Sequence, residues 1–141
     1  MERRLYFFSL LASIFILSGC FKTAVYDEHA YAETISLKQD MLELMDKAIQ
    51  SYTSYETDVT DLLQRLDAAY ESSQSRANNK VSAEQWKIMI DKNANMAAGF
   101  FAHWKSEGTL TKYFIDEAKV IIAGGFDAII DLEKSKKKQT Y

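Results

Sequence analysis

The chain has 141 residues, of which 48% are hydrophobic and 26% are charged, and this composition excludes an intrinsically disordered protein. Its length predicts one domain that buries a core without needing a disulfide or a metal. The 17 basic and 20 acidic side chains argue against nucleic acid as a partner, because binding to a phosphate backbone needs a basic face.

The first 20 residues have the order of a secretory signal peptide. Two arginines at positions 3 and 4 precede an apolar run over positions 5–17, and the small residues Ser18 and Gly19 lead to Cys20, the single cysteine of the chain. The run is shorter than the roughly 20 apolar residues that span a bilayer. The segment therefore predicts a cleaved signal.

The tetrapeptide Leu17-Ser18-Gly19-Cys20 resembles the lipobox of bacterial lipoprotein precursors, and the resemblance covers the first 20 residues. It implies cleavage between Gly19 and Cys20, and a covalent diacylglycerol and an N-acyl chain such as palmitate on Cys20. An uncleaved membrane anchor and a secreted protein with a free cysteine are the alternatives. The lone cysteine directly after the signal-like run argues against both.

The resemblance also implies a domain organisation and an address. Residues 1–19 are the expected signal peptide, residues 20–27 a lipidated tether, and residues 28–138 a helical bundle. The mature chain keeps 15 basic and 19 acidic side chains. Phe21 is not the aspartate that retains such lipoproteins in the inner membrane, so the resemblance implies the periplasmic side of the outer membrane.

From residue 28 to residue 76 the apolar side chains follow helical spacing, as in a coiled coil. One interpretation is an unbroken helix of about 49 residues, roughly 75 Å long. The other is a reversal over residues 53–58, where Thr53 and Glu56 have capping-box spacing. The continuous heptad phase favours one long helix. The seam consists of Leu42, Met45, Ile49, Tyr52, Val59, Leu63, Leu66 and Tyr70.

Residues 75–80 are polar and predict a turn, and the Ser82/Gln85 spacing predicts a capping box that starts a helix from Ala83 to about Ser106. Gly108 is expected to cap it, and the last helix is expected to run from Thr109 or Thr111 to about Lys137. No segment alternates with a period of two residues. The fold class predicted is an all-α antiparallel bundle of three or four helices, with a long N-terminal helix.

Catalytic patterns are absent from the sequence, and an enzyme is not expected. His29 and His103 lie in no metal-binding motif, and His103 is expected to be partly buried in the core. The only thiol is the one expected to carry lipid, and no Gly-x-Ser-x-Gly occurs. Apart from the lipid, no cofactor or metal is expected. A solvated helix face is expected to carry Asp58, Asp61, Asp67 and Glu71.

Five aromatic side chains near Gly108 are too many for one helix face to bury, so their exposed members form a candidate partner patch. The five are Phe100, Phe101, Trp104, Tyr113 and Phe114. Gly99, Gly124 and Gly125 indicate either close packing or a hinge. The C-terminal lysines either compensate the helix dipole or contact anionic lipid. They are Lys134, Lys136, Lys137 and Lys138.

These features favour a membrane-anchored, non-enzymatic helical module that binds another envelope protein as an accessory factor. One alternative is a phage or plasmid exclusion or immunity lipoprotein. Another is a carrier of an apolar ligand, which requires a cavity among Trp86, Phe100, Trp104 and Phe126.

Overall fold

A computed structural model describes residues 23–138, so the predicted signal peptide with Gly19, the predicted lipid-attachment residue Cys20, and Phe21 lie outside the described residues. Within this range the chain is helical and contains no strand, which confirms the all-α prediction. None of the helices between residues 23 and 138 is both long and apolar enough to cross a bilayer. The five helices are α1 (Glu28–Met45), α2 (Glu56–Ser75), α3 (Lys80–Ile90), α4 (Ala97–Glu107) and α5 (Lys112–Lys137).

The predicted long N-terminal helix is wrong, because the chain leaves the α-helix after Met45. Two short 3-10 helices, Asp46–Ile49 and Tyr52–Ser54, separate α1 from α2. The turn that follows α4 supplies replacement backbone hydrogen bonds: Tyr52 N donates to Gly108 O at 2.8 Å, and Leu110 N donates to Ala48 O at 2.7 Å. These distant partners satisfy groups that a continuous helix would have paired internally.

The predicted helix from Ala83 to Ser106 is also wrong, since α3 and α4 divide it. The Asp91 side chain accepts from Asn93 N at 2.8 Å, and this local turn competes with the helix after Ile90. The predicted Ser82/Gln85 capping box does not form, because α3 already begins at Lys80 and Ser82 lies buried inside its first turn. Residues 23–138 therefore contain five α-helices, whereas three or four helices were predicted.

Cross-helix contacts show that neighbouring helices run antiparallel, because rising residue numbers on one helix meet falling numbers on the other. These pairs are Asp27–Arg76 and Asp40–Arg65 (α1 and α2), Lys38–Asp127 and Asp46–Lys119 (α1 and α5), and Ser82–Glu133 and Trp86–Phe126 (α3 and α5). The helix α4 continues in the direction of α3, since Trp104 reaches Gln50 O at 3.0 Å. The bundle thus consists of four antiparallel rods, which are α1, α2, α3 followed by α4, and α5.

This arrangement gives the bundle two ends. The tether end consists of residues 23–28, 75–81 and 133–138, and the far end consists of residues 46–55 and 104–114. Asp27 caps α1 at the tether end by accepting from Ala30 N at 3.1 Å. At the far end Gly108 has the predicted positive φ (77°), and Thr111 caps α5 by accepting from Phe114 N at 3.2 Å. The predicted start and end of the last helix are confirmed.

The core runs between the four rods and holds most of the predicted apolar residues. Each fully buried large side chain contributes about 1.5–3 kcal/mol relative to exposure. The buried residues include Met45, Val59, Leu66, Trp86, Met89, Phe101, Trp104, Ile122, Phe126 and Ile129. The seam residue Ile49 is instead 53% exposed, because the 3-10 segment turns it outward.

Candidate functional site

The first half of α5 carries a stripe of exposed apolar side chains. Tyr113 and Val120 lie two helical turns apart, as do Phe114 and Ile121, so the four share one side of the helix. Tyr113 and Val120 are largely exposed, and Ile121 is 55% exposed. An exposed apolar stripe of this kind is a candidate contact surface.

Beside this stripe lies a groove of about 380 Å³ between α4 and α5, here called the α4–α5 groove. The Phe100 ring forms its floor and stacks on Phe114 with centroids 6.2 Å apart. The His103 ring lies 4.9 Å from Phe114 at the rim. The groove is lined by Asn95, Gly99, Phe100, His103, Phe114, Glu117, Ala118, Ile121 and Ile122. Its volume is in the range of pockets that accept side chains or small ligands, roughly 300–1,000 Å³.

The structure divides the five predicted patch residues between the core and the surface. Phe101 and Trp104 are buried and face the core, whereas Tyr113 and Phe114 are exposed. Phe100 is buried but reaches the groove floor. Val120 and Ile121 were not among the predicted patch residues, although the seven-residue repeat from positions 113 and 114 to positions 120 and 121 is visible in the sequence.

The prediction of a partly buried His103 is wrong, because α4 turns this side chain outward. The predicted solvated carboxylates Asp58, Asp61, Asp67 and Glu71 are all exposed, as expected. Within residues 23–138 no group of three or more His, Cys, Asp or Glu side chains is placed to hold a metal ion.

The glycines have different roles. A methyl group at Gly99 would overlap the carbonyl oxygen of Ala94, so the loop after α3 packs directly on α4. A methyl group at Gly125 would overlap the Met96 side chain. Gly124 faces open space. Close packing therefore explains Gly99 and Gly125. Both glycines pack against the loop after α3 and not against each other's helix.

A second polar feature lies at the tether end, where a lysine and a glutamate are buried together. Lys136 and Glu133 are one turn apart on α5, and their side chains are 4% and 3% exposed. The Lys136 ammonium donates to Glu133 Oε1 and Asn79 Oδ1, each at 2.5 Å, and to Ser82 Oγ at 2.8 Å. The prediction that Lys136, like the other C-terminal lysines, contacts anionic lipid is therefore wrong, because its ammonium is buried.

The remaining hydrogen bonds link this pair to three other elements. Ser82 Oγ donates to Glu133 Oε1 at 2.8 Å, and Arg76 Nη2 donates to Glu133 Oε2 at 3.1 Å. The Asn79 amide donates to Ser73 O at 2.9 Å. Arg76 also reaches the incoming chain, at Val25 O (3.4 Å) and Asp27 (3.8 Å). We call Arg76, Asn79, Ser82, Glu133 and Lys136 the polar network.

The polar network perturbs the titration of both buried groups. Burial alone would raise the pKa of Glu133, but the hydrogen bonds from Lys136, Ser82 and Arg76 outweigh it and lower that pKa. Burial lowers the pKa of Lys136, against the opposing effect of Glu133. The hydrogen-bond partners come from the chain before α1 and from α2, α3 and α5, so the network joins these elements at this end of the bundle.

A sequence signal for the polar network does exist. Residues 122, 126, 129, 133 and 136 follow one helical register, and the first three are core residues. Glu133 and Lys136 therefore occupy core positions, and a charged pair in a core register predicts burial of both together.

Comparison with protein-family models, curated proteins and solved structures finds no match for this chain. The functional assignment therefore depends on the chain's own residues. Of the two features, the polar network is enclosed and internally paired, whereas the α4–α5 groove opens to the surface. The groove is the candidate functional site.

Proposed function

We propose that this protein is a lipid-anchored, non-enzymatic accessory module of the bacterial envelope, which binds an amphipathic helix of another envelope protein in the α4–α5 groove. The observation that carries the proposal is the exposed apolar stripe beside the groove on α5. The lipobox-like Leu17-Ser18-Gly19-Cys20 supports the anchor on Cys20 and the periplasmic face of the outer membrane.

The occupant is inferred from the chemistry of the groove. Phe114 and Ile121 lie two turns apart and offer apolar contacts to side chains that follow the same helical spacing. Between them Glu117 points an exposed carboxylate at the rim, and it forms no ion pair with any residue of the described range. A helix with apolar side chains on one face and a lysine or arginine at its edge complements this surface.

The position of the groove favours a protein partner over lipid. Phe114 lies 19 residues before Glu133 on the same helix, which corresponds to about 28 Å at 1.5 Å per residue. With the lipid on Cys20 close to the tether end, the groove stands well clear of the headgroups and faces the periplasm.

The test is site-specific photocrosslinking in living cells. A photoreactive benzoylphenylalanine replaces Ile121 beside the groove, and the matched control replaces Ile88, which is 54% exposed on α3. One envelope protein crosslinked from position 121 and not from position 88 is the expected result. A Glu117→Lys change should weaken that crosslink several-fold. Equal crosslinking from both positions, or none from either, would contradict the proposal.

The alternatives predict different results in the same experiment. An exclusion or immunity lipoprotein would give a crosslink to a phage, plasmid-transfer or toxin protein and not to a resident envelope protein. The carrier hypothesis requires space that the core aromatics fill with one another. Trp86 packs edge-on against Phe126 at 6.0 Å, and Trp104 packs edge-on against Tyr52 at 5.5 Å.

A further inference from the structure

We propose that the tether end is a second binding surface, which docks on anionic lipid headgroups and holds the bundle upright on the membrane. This proposal depends on the lipid anchor of the proposed function and adds the orientation of the anchored domain. It uses a surface on the opposite end of the bundle from the α4–α5 groove.

Basic side chains from separate parts of the sequence meet at this end. The exposed lysines are Lys80 at the start of α3 and Lys134, Lys137 and Lys138 at the end of α5. The tether end, residues 23–28, 75–81 and 133–138, contains six basic and three acidic side chains, whereas the rest of the described chain contains eight basic and sixteen acidic ones. The protein therefore presents a positive end on a negative body, which favours an anionic surface.

The three acidic groups at this end do not cancel the exposed lysines. Glu133 is buried and paired with Lys136, and Asp27 faces Arg76 at 3.8 Å. Glu28 remains at the surface. Within the tether end, four exposed lysines thus face one exposed carboxylate without an ion pair, that of Glu28.

Apolar side chains accompany the lysines, as expected for a surface that touches lipid. Val25 is largely exposed, and Val81 is 64% exposed next to Lys80. Tyr26 lies beneath the Lys137 ammonium, 5.3 Å from its ring centroid. Tyrosine rings and small apolar side chains insert at the headgroup level while the lysines stay with the phosphates.

The start of α3 is unfavourable for folding, which indicates a role in binding. Lys80 lies in the first turn, where the helix dipole favours an acidic residue, and this turn contains no acidic residue. The preceding Asn79 does not cap the helix with its side chain, because its amide is engaged by Ser73 and Lys136. The start of α3 therefore has neither an acidic residue nor a side-chain cap to offset its dipole, and an anionic headgroup near Lys80 would do so.

Chain length keeps this surface near the membrane. Thr23 is three residues after Cys20, and three extended residues span at most about 10–11 Å. That length is close to the Debye length of about 8–10 Å at physiological ionic strength. A lipid on Cys20 therefore holds the tether end within range of the charge on the headgroups.

The test uses the full, acylated chain in vesicles. A single cysteine is introduced by Val81→Cys at the tether end or by Ile49→Cys at the far end, and each is labelled with an environment-sensitive dye. Vesicles contain either phosphatidylcholine alone or phosphatidylcholine with about one third phosphatidylglycerol, together with a shallow headgroup quencher. The expected result is strong quenching at position 81, weak quenching at position 49, and loss of the difference in neutral vesicles or at high salt.

A charge reversal separates docking from folding. Each lysine near an anionic surface favours the docked state roughly five-fold, so Lys80→Glu should lower the docked-to-undocked ratio at least five-fold. The same change should not destabilise α3, since it places an acid at a helix N-terminus. Lys87→Glu, two turns further along α3, is the matched control and should leave docking unchanged.

The outcomes distinguish this proposal from the anchor on which it depends. Equal quenching at positions 81 and 49, or quenching that ignores phosphatidylglycerol, would overturn docking and leave the anchor intact. Dye labelling of the chain without an introduced cysteine would show a free Cys20 thiol. That result would overturn the anchor and, with it, the docked orientation.

Discussion

The buried ion pair of the polar network gives the sharpest prediction about stability. We expect Lys136→Met to destabilise the protein by about 3–5 kcal/mol, because it removes the ammonium and leaves the Glu133 carboxylate buried without it. Because methionine keeps most of the volume of the lysine side chain, the loss of unfolding free energy comes mainly from the broken ion pair and less from packing. The replaced group is 4% exposed and donates hydrogen bonds to Glu133, Asn79 and Ser82.

This loss is a large part of the total stability of a domain, which is typically about 5–15 kcal/mol. Urea unfolding at pH 7, followed by far-UV circular dichroism, measures it. With a slope near 2 kcal/mol per molar urea, the midpoint should fall by about 2 M. Lys134→Met is the matched control on the same helix, since Lys134 is exposed, and it should change the stability by at most about 0.5 kcal/mol.

A double-mutant cycle tests the reasoning itself. Glu133→Leu alone should also be costly, because it leaves the Lys136 ammonium buried and unpaired. Combined with Lys136→Met, it should cost clearly less than the sum of the two single changes, since apolar groups then replace both charges. A cost for Lys136→Met below about 1 kcal/mol, or additivity within about 0.5 kcal/mol, would refute the assignment of a coupled buried pair.

Three further predictions follow from the described geometry. Hydrogen bonds hold the pKa of Glu133 below its ordinary 4.5. The stabilising effect of the carboxylate is therefore complete above pH 4.5 and is lost as the pH falls through the lower pKa of the folded state. In urea titrations, the difference in unfolding free energy between the wild type and Glu133→Gln should narrow from pH 7 to below pH 4.5. In thermal unfolding, Gly99→Ala should destabilise because its methyl group overlaps Ala94 O, whereas Gly124→Ala should stabilise by about 0.5–1 kcal/mol. Arg65→Ala should cost at most about 1 kcal/mol per ion pair, with the loss shrinking in high salt, because its partners are exposed.

The elements that the sequence predicted well are those set by local chemistry. Gly108 ends α4 because glycine tolerates the positive φ of that position, and Thr111 begins α5 because its hydroxyl accepts from a first-turn N–H. The aromatic residues Phe101 and Trp104 of α4 and Phe126 of α5 also lie in the core. Each of these features depends on residues within about one helical turn of each other.

The break in the first predicted helix was only an alternative in the sequence, where the Thr53/Glu56 spacing offered a reversal over residues 53–58. The heptad phase of the first long segment continues through residues 46–55, so periodicity alone gave no sign of the interruption. What stabilises the break is distant in sequence: the backbone of residues 108–110 pairs with Ala48 and Tyr52, and Trp104 donates to Gln50. Such long-range hydrogen bonds have no counterpart in the local pattern.

The candidate site shows the same division. The excess of aromatic residues around Gly108 predicted that some of these side chains are exposed, and Tyr113 and Phe114 are. Which aromatic side chains face outward depends on how α4 packs on α5, and the local sequence does not contain that information. At the opposite end, Lys80 and Lys138 are far apart in sequence, and they lie at the same end of the bundle because their neighbours Asn79 and Lys136 are hydrogen-bonded to each other.

The helix α5 connects the two proposed surfaces, and its packing makes it a spacer more than a hinge. It spans 26 residues without interruption, or about 39 Å, from the groove to the polar network. Gly125 is the natural point for bending, but Met89 and Met96 pack closely against it. The polar network holds one end of α5 in place, and these methionines hold its middle. Docking of the tether end on lipid would therefore set the distance of the α4–α5 groove from the membrane surface. A partner helix must then lie roughly 28 Å from the tether end, which favours a periplasmic segment over one at the membrane surface.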